Sequence, residues 1–210
     1  MPYFGIFGFQ SNHTIKGGNM LKHILLGLTV MIFALSLVQT GQAADTIEVV
    51  MKTTKGDMTI ELYPDKAPKS VENFLSYVDD DFYAGTVFHR VIKGFMIQGG
   101  GLTPELNEKP TKPPIENEAD NGLKNKKYTI AMARTMDPHS ATSQFFINHA
   151  DNAFLDHTSK TADGWGYCVF GKVIEGQDVV EAIANTKTMT KKGMRDVPRE
   201  TIEIISVERK

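Results

Sequence analysis

The feature that most constrains the fold of this chain is a two-residue alternation of apolar and polar side chains. Met58, Ile60 and Leu62 alternate with Thr59 and Glu61, which predicts a β-strand with one face in a core and the other in water. Short β-rich segments recur along the chain. The predicted strands span residues 46–53, 57–63, 87–92, 96–98, 128–133, 144–148, 168–173 and 201–207.

Two segments follow the helical period instead. Between Pro68 and Asp79, apolar residues recur at the spacing of an amphipathic helix, and Pro68 suits the first turn, where its missing N–H is not needed. A shorter stripe covers Asp178–Asn185. Strands outnumber helices and no βαβ alternation occurs, so the pattern predicts a mainly-β domain, an antiparallel barrel or sandwich with a few helices. The stretch Gly99–Lys127 is predicted to be an irregular loop, either functional or a solvated excursion.

The first 43 residues differ from the rest because they contain no Asp or Glu. Within them the apolar stretch Ile24–Val38 follows a basic start, and small residues stand at Gly41 and Ala43. This order predicts a secretory signal peptide that is removed after Ala43. A retained membrane anchor is the alternative, although 15 residues fall short of the ~20 that span a membrane.

Cleavage leaves residues 44–210 as one domain, long enough for a single hydrophobic core. Met20 is the expected start of the signal peptide, with residues 1–19 as an upstream extension. Removing residues 1–43 takes away two lysines and no acidic residue, so the formal charge changes from −2 to −4, which argues against a general grip on nucleic acid. Cys168 is the single cysteine and lies in an apolar run. A buried, inert thiol is favoured over a nucleophile.

The most informative stretch is Phe88–Gly100, with the sequence FHRVIKGFMIQGG. Read as strand, turn and strand, it places Arg90 near Phe95, Met96 and Gln98 across a short hairpin. An arginine beside exposed apolar side chains is unusual for packing alone. It suits the binding of a group that is apolar and also carries a polar amide.

This stretch, together with SQFFI at 143–147 and VFGKV at 169–173, resembles the cyclophilin-type peptidyl-prolyl cis-trans isomerases. The resemblance covers Ile47–Val207, and the runs ARTMDPHSAT and GWGYCVF resemble the compact bacterial branch. It implies a closed eight-stranded antiparallel β-barrel capped by two α-helices. Because a barrel of about eight strands fills its interior with side chains, a substrate would bind on the outer surface.

The resemblance also implies an enzyme that accelerates rotation about X-Pro bonds during the folding of exported proteins, by a non-covalent mechanism. Aligned position by position, Arg90 is the catalytic arginine that stabilises the twisted amide, and Gln98 supports it. The implied proline pocket is formed by Phe95, Met96, Phe146 and Leu155. The backbone at Ala133 and Arg134 is expected to pair with the peptide; Phe154 and Tyr167 stand at ligand-contacting positions, where many eukaryotic members have Trp and His.

Such a reaction needs no cofactor and no metal, and His139, His149 and His157 lack zinc spacing. His89 is interpreted as a structural histidine. The expected partners are proline-containing peptides and unfolded or folding proteins, without nucleic acid or stable membrane insertion after cleavage; we expect a monomer in the periplasm. The alternative is a non-catalytic module or chaperone that binds proline segments on the same barrel. The presence of Arg90 with Gln98 favours the enzyme.

Overall fold

The computed structural model describes residues 46–210, together with the isolated positions 1, 3, 5, 8 and 10. The predicted signal peptide, its cleavage after Ala43 and the domain boundary there lie outside the described residues and stay predictions. The fold below is that of the compact unit Ala44–Lys210. Within the described residues, no helix is both long and apolar enough to cross a membrane.

The described chain is mainly β. In chain order its elements are β1 Ile47–Thr53, β2 Gly56–Leu62, α1 Pro68–Asp79, β3 Thr86–Val87, β4 Arg90–Ile92, β5 Met96–Gly99, β6 Thr129–Met132, β7 Phe145–Asn148, β8 Val169–Glu175, α2 Gln177–Ala184, β9 Thr188–Lys191, β10 Met194–Pro198 and β11 Glu203–Arg209. Nine strands form one antiparallel sheet in the order β3-β11-β1-β2-β8-β6-β7-β5-β4, and β9 pairs with β10 in a separate hairpin. Two short 3₁₀ helices span Ala119–Asn121 and Ala153–Leu155.

The alternation in β2 places its apolar side chains in the core, as predicted. Met58, Ile60 and Leu62 are fully buried, and Glu61 is half-buried on the other face. Thr59 differs from the prediction because it is buried as well. Its hydroxyl donates a hydrogen bond of 2.7 Å to Glu175 on the neighbouring strand β8. The Glu175 side chain therefore covers Thr59 on the polar face of β2.

The two predicted helices are both present. The first matches its predicted bounds of 68–79, and its apolar stripe is buried; the second begins one residue before the predicted 178. On α1, Phe74 contacts Tyr83, Phe145 and Phe170, with ring centroids 5.1, 5.9 and 5.3 Å away. These aromatic contacts anchor α1 to the inner face of the sheet.

The two edge strands of the sheet, β3 and β4, belong to one stretch of chain. Only Phe88 and His89 separate them. The Phe88 N–H donates to the carbonyl of Ile202 at 2.9 Å, whereas the His89 N–H donates to the carbonyl of Gln98 at 3.0 Å. The segment predicted as one strand, 87–92, is therefore divided where the backbone changes its partner. The coarse prediction of a mainly-β fold with two helices is confirmed, with nine strands in the sheet rather than eight.

The hairpin formed by β9 and β10 is the element that the pattern does not predict. Its residues are mostly polar, β9 is largely exposed, and only Val197 and Pro198 of β10 are buried, so the hairpin lacks the alternation that marks a half-buried strand. Lys192 and Gly193 take positive φ values in its turn, and β10 packs beside β4. The stretch after Gly99 is irregular as predicted, apart from one 3₁₀ helix and two isolated bridges.

Candidate active site

The predicted catalytic pair lies on the hairpin of β4 and β5, where Arg90 stands opposite Gln98. The turn closes through the Phe95 N–H, which donates to the carbonyl of Ile92 at 3.0 Å. Gly94 takes a φ of +78° in this turn, in the left-handed region that favours glycine. Arg90 is exposed. The hairpin therefore presents a guanidinium group and, at its other end, an aromatic ring.

Strands β5 and β7 separate two apolar clusters. Ile97 and Phe145 belong to the main core, whereas their neighbours Met96 and Phe146 belong to a smaller cluster. Because successive side chains in a strand point to opposite faces, the smaller cluster lies on the outer face of the sheet, the face that also carries Gln98. Its buried members are Met96, Ala131, Phe146, Leu155 and Val169, with Phe95, Ala133 and Tyr167 packed against them.

A cleft of about 110 Å³ opens on this outer face. Its lining contains nine of the ten site residues predicted from the sequence: Arg90, Phe95, Met96, Gln98, Ala133, Arg134, Phe146, Leu155 and Tyr167. The tenth, Phe154, lies at the rim. It is 75% exposed and stacks on Phe95 with ring centroids 5.5 Å apart. The cleft thus has an apolar floor with a charged guanidinium at its side.

A second cleft of about 140 Å³ adjoins the first and shares Gln98, Ala133 and Arg134 with it. Its other lining residues are Thr135, Ser140, Thr142 and Gln144, which the sequence reasoning missed. Gln98 Nε2 donates to Gln144 Oε1 at 3.0 Å. Gln144 stands two residues before Phe146, so the strand alternation could have placed it on this face. The three loop residues follow no such period.

Arg134 lines both clefts, and neighbouring groups hold its side chain. Its Nε donates to the carbonyl of Gly166 at 3.0 Å, and its Nη1 donates to the carbonyl of Thr135 at 2.9 Å. The guanidinium lies over the Tyr167 ring, 4.5 Å from the centroid. These contacts fix the guanidinium itself, whereas the sequence comparison assigned a role only to the backbone at this position.

Comparison with known proteins identifies the family of this chain. The family model described as cyclophilin type peptidyl-prolyl cis-trans isomerase matches residues 48–209. The chain belongs to this family. The cyclophilin is 60% identical to the peptidyl-prolyl cis-trans isomerase cyp18 of Streptomyces antibioticus over 160 residues, which cover 76% of this chain and 96% of the relative. It is 54% identical to the Escherichia coli isomerase B over 159 residues, covering 76% and 97%.

Solved structures give the same result. The cyclophilin type isomerase of Cryptosporidium parvum superposes with a TM-score of 0.67 at 28% identity and covers 79% of this chain and 98% of its own. The structure of that protein in the presence of the dipeptide Ala-Pro has a TM-score of 0.66 at 29% identity and covers 78% and 98%. The recognition of the family is confirmed; the roles of the individual site residues stay predictions.

The irregular stretch of this cyclophilin supports the cleft from behind. Among the described residues, none between positions 100 and 127 lines either cleft. Instead, Asn121 Nδ2 donates to the carbonyl of Val169 at 3.1 Å, and Asn125 Nδ2 donates to the carbonyl of Leu155 at 3.2 Å. The Tyr167 N–H donates to the same Leu155 carbonyl at 2.9 Å. These hydrogen bonds join the two segments that bring Leu155 and Tyr167 to the cleft.

Two titratable groups near the site have strongly altered pKa values, and burial is the main cause for both. Burial lowers the pKa of His89 to about 4, so the imidazole is neutral at pH 7, in line with a structural histidine. Burial raises the pKa of Cys168 to about 12, which keeps the thiol protonated and agrees with the inert interpretation. Among the described residues, no group of three or more His, Cys, Asp or Glu is placed to hold a metal ion.

Proposed function

We propose that this peptidyl-prolyl cis-trans isomerase binds the proline ring of its substrate in the apolar cleft and stabilises the twisted amide with Arg90. The observation that carries the proposal is the placement of the exposed Arg90 guanidinium beside the apolar floor of a cleft on the outer face of the sheet. Proline-containing peptides and unfolded or folding proteins are the corresponding substrates. The related Cryptosporidium parvum structure was obtained in the presence of a dipeptide of this kind, Ala-Pro.

The chemistry explains why an arginine is suited to this position. A peptide bond resists rotation by about 18–20 kcal/mol because the nitrogen lone pair is delocalised into the carbonyl group. When the bond twists, the lone pair returns to the prolyl nitrogen, which then becomes a hydrogen-bond acceptor. A guanidinium group stays charged and has only donors. Arg90 can therefore donate to the nitrogen of the twisted state but gains nothing from the planar one, which is differential stabilisation of the transition state.

The magnitudes require the cleft as well as the arginine. An acceleration of ~10⁵-fold corresponds to about 7 kcal/mol. One preorganised donor aimed at a developing charge contributes roughly 3–4 kcal/mol. The remainder is assigned to holding the proline ring against Met96, Phe146 and Leu155 in a site poorer in water than bulk. Gln98, held by Gln144, would keep the substrate peptide aligned with Arg90.

The proposal extends to closure of the sheet. We infer that β3 and β4 act as one strand that closes an eight-stranded barrel. The support is that only Phe88 and His89 separate them and that their N–H groups bond to opposite neighbours. The interior would then be filled by the main core, which leaves the outer face for substrate. Amide hydrogen exchange tests closure: protection of both N–H groups is expected, and rapid exchange at either would mean an open edge.

Export completes the proposal. The basic start, the apolar stretch Ile24–Val38 and the small residues up to Ala43 support secretion to the periplasm, where the enzyme would assist the folding of exported proteins as a monomer. Mass spectrometry of the protein recovered from the periplasm tests this step. We expect a chain that begins at Ala44; an uncut chain held in the membrane would contradict it.

A protease-coupled assay on a short Ala-Pro peptide tests the activity. We expect the cis form to convert to the trans form far faster than it does without the enzyme, where the conversion takes roughly tens to hundreds of seconds. Binding of the peptide without any acceleration would leave the non-catalytic binding module as the function.

A further inference from the structure

The turn between β4 and β5 is held from behind by His149, which follows directly after β7. The Gly94 N–H donates to His149 Nδ1 at 2.9 Å. The main-chain N–H of His149 donates to the carbonyl of Phe95 at 2.9 Å, and Asn152 Nδ2 donates to the same carbonyl, also at 2.9 Å. The backbone N–H of Gly94 and the backbone carbonyl of Phe95 are thus both held by hydrogen bonds. Phe95 places its ring in the proline cleft.

The other side of the imidazole faces an anion. His149 Nε2 lies 3.0 Å from Glu181 Oε2 on α2, and Glu181 Oε1 contacts Lys127 Nζ at 2.8 Å and the Tyr128 hydroxyl at 2.9 Å. The hydrogen bonds from Lys127 and His149 lower the pKa of Glu181 to about 2. An ionised carboxylate can only accept, so the ring proton belongs on Nε2 and the lone pair on Nδ1 faces Gly94.

We propose that His149 is a positioning residue for the isomerase reaction, in which the Nδ1 lone pair, oriented by Glu181, holds Gly94 and thereby sets the Phe95 wall of the proline cleft. This inference rests on the proposed function in one respect, the binding of the proline ring in the cleft that Phe95 lines. The charged or titratable groups around the imidazole are Glu181, Lys127 and Tyr128.

The mechanism distinguishes between substitutions that resemble each other chemically. In His149→Asn, the amide oxygen can occupy the place of Nδ1 and accept from Gly94, although Glu181 loses the hydrogen bond to the ring and keeps those to Lys127 and Tyr128. His149→Gln reaches toward Glu181 but leaves Gly94 without an acceptor, and His149→Leu removes both contacts. Tyr128→Phe is the matched control, because it takes a hydroxyl from the same carboxylate without touching the turn.

The Michaelis constant should report the loss. Removing the acceptor of one hydrogen bond weakens binding of the proline ring by roughly 3- to 10-fold, and it does so in the ground and transition states alike, so KM rises while kcat stays within about twofold. We expect this increase in His149→Gln and His149→Leu, and values close to the parent in His149→Asn and Tyr128→Phe. The Kd of an Ala-Pro peptide, measured by NMR titration, should follow the same order without any need for turnover.

The unmodified protein offers a direct test. A scalar coupling across the hydrogen bond between the ¹⁵N nuclei of Gly94 and His149 Nδ1 is expected, together with a protonated Nε2. Absence of that coupling, or equal KM and Kd in the Gln, Leu and Asn variants, would overturn the proposal. If the peptide Kd values follow the expected order but the parent shows no turnover, the proposed function is contradicted instead. The role of His149 in placing Phe95 would then still hold.

Discussion

Acid should weaken this fold through His89, the histidine buried between the two edge strands. It is 3% exposed, and among the described residues its Nδ1 has no hydrogen-bond partner. Burial lowers its pKa from 6.5 to about 4. As the pH falls below 6.5, His89 binds a proton in the unfolded chain but stays neutral in the folded protein until about pH 4. The free energy of unfolding therefore decreases across this window. At 1.36 kcal/mol per unit the full loss is about 3 kcal/mol, with about 2 kcal/mol of it between pH 7.5 and 5.

Urea unfolding at pH 7.5 and pH 5 measures this loss. His89→Leu removes the titrating group and should reduce the pH-dependent loss of unfolding free energy by about 2 kcal/mol. His139→Gln is the control, because it replaces an exposed histidine and leaves His89 in place, so the loss assigned to His89 should remain. Equal losses in the parent and in His89→Leu would refute the reasoning. So would an NMR titration in which the His89 ring takes up its proton near pH 6.5.

Three further predictions concern single side chains. Phe154→Trp should increase the affinity for cyclosporin, an inhibitor of the family, by roughly 5- to 150-fold. The reason is that the resemblance implies a contact between the inhibitor and an indole N–H at this position; tight inhibition of the parent, or no gain in the variant, would contradict this. Cys168 should react with a thiol reagent only after unfolding, and rapid labelling of the native protein would disprove its burial. Gln144→Leu removes the acceptor of Gln98 Nε2 and should lower kcat/KM by roughly 3- to 10-fold, with an unchanged value as the contrary result.

The parts of the fold that depend on local pattern could be predicted from the sequence. The bounds of α1 follow from its apolar stripe and from Pro68, and the core face of β2 follows from its alternation. Features that depend on neighbours could not. Thr59 is buried by Glu175 from another strand, and the predicted strand 87–92 is divided because its two halves pair with different strands.

The candidate site divides in the same way. Residues carried by contiguous motifs, such as Arg90 and Gln98, could be assigned because a short hairpin brings them together whatever the rest of the chain does. The pair of His149 and Glu181 could not, since 32 positions separate them and tertiary packing, in which α2 lies beside β4 and β5, brings them together. The spacing of His149 in the sequence excluded it as a zinc ligand but predicted no other role for it.

The most direct test of the account is the turnover of Arg90→Ala in the protease-coupled assay, with Arg195→Ala, an exposed arginine on β10, as the control. Loss of a preorganised donor predicts a fall in kcat/KM of roughly 10²–10³-fold. Circular dichroism and the melting temperature should stay unchanged, since an exposed arginine contributes little to stability. The control should keep parental turnover. If Arg90→Ala retains kcat/KM within about threefold of the parent, an effect well below that range, stabilisation of the twisted amide by this arginine is contradicted.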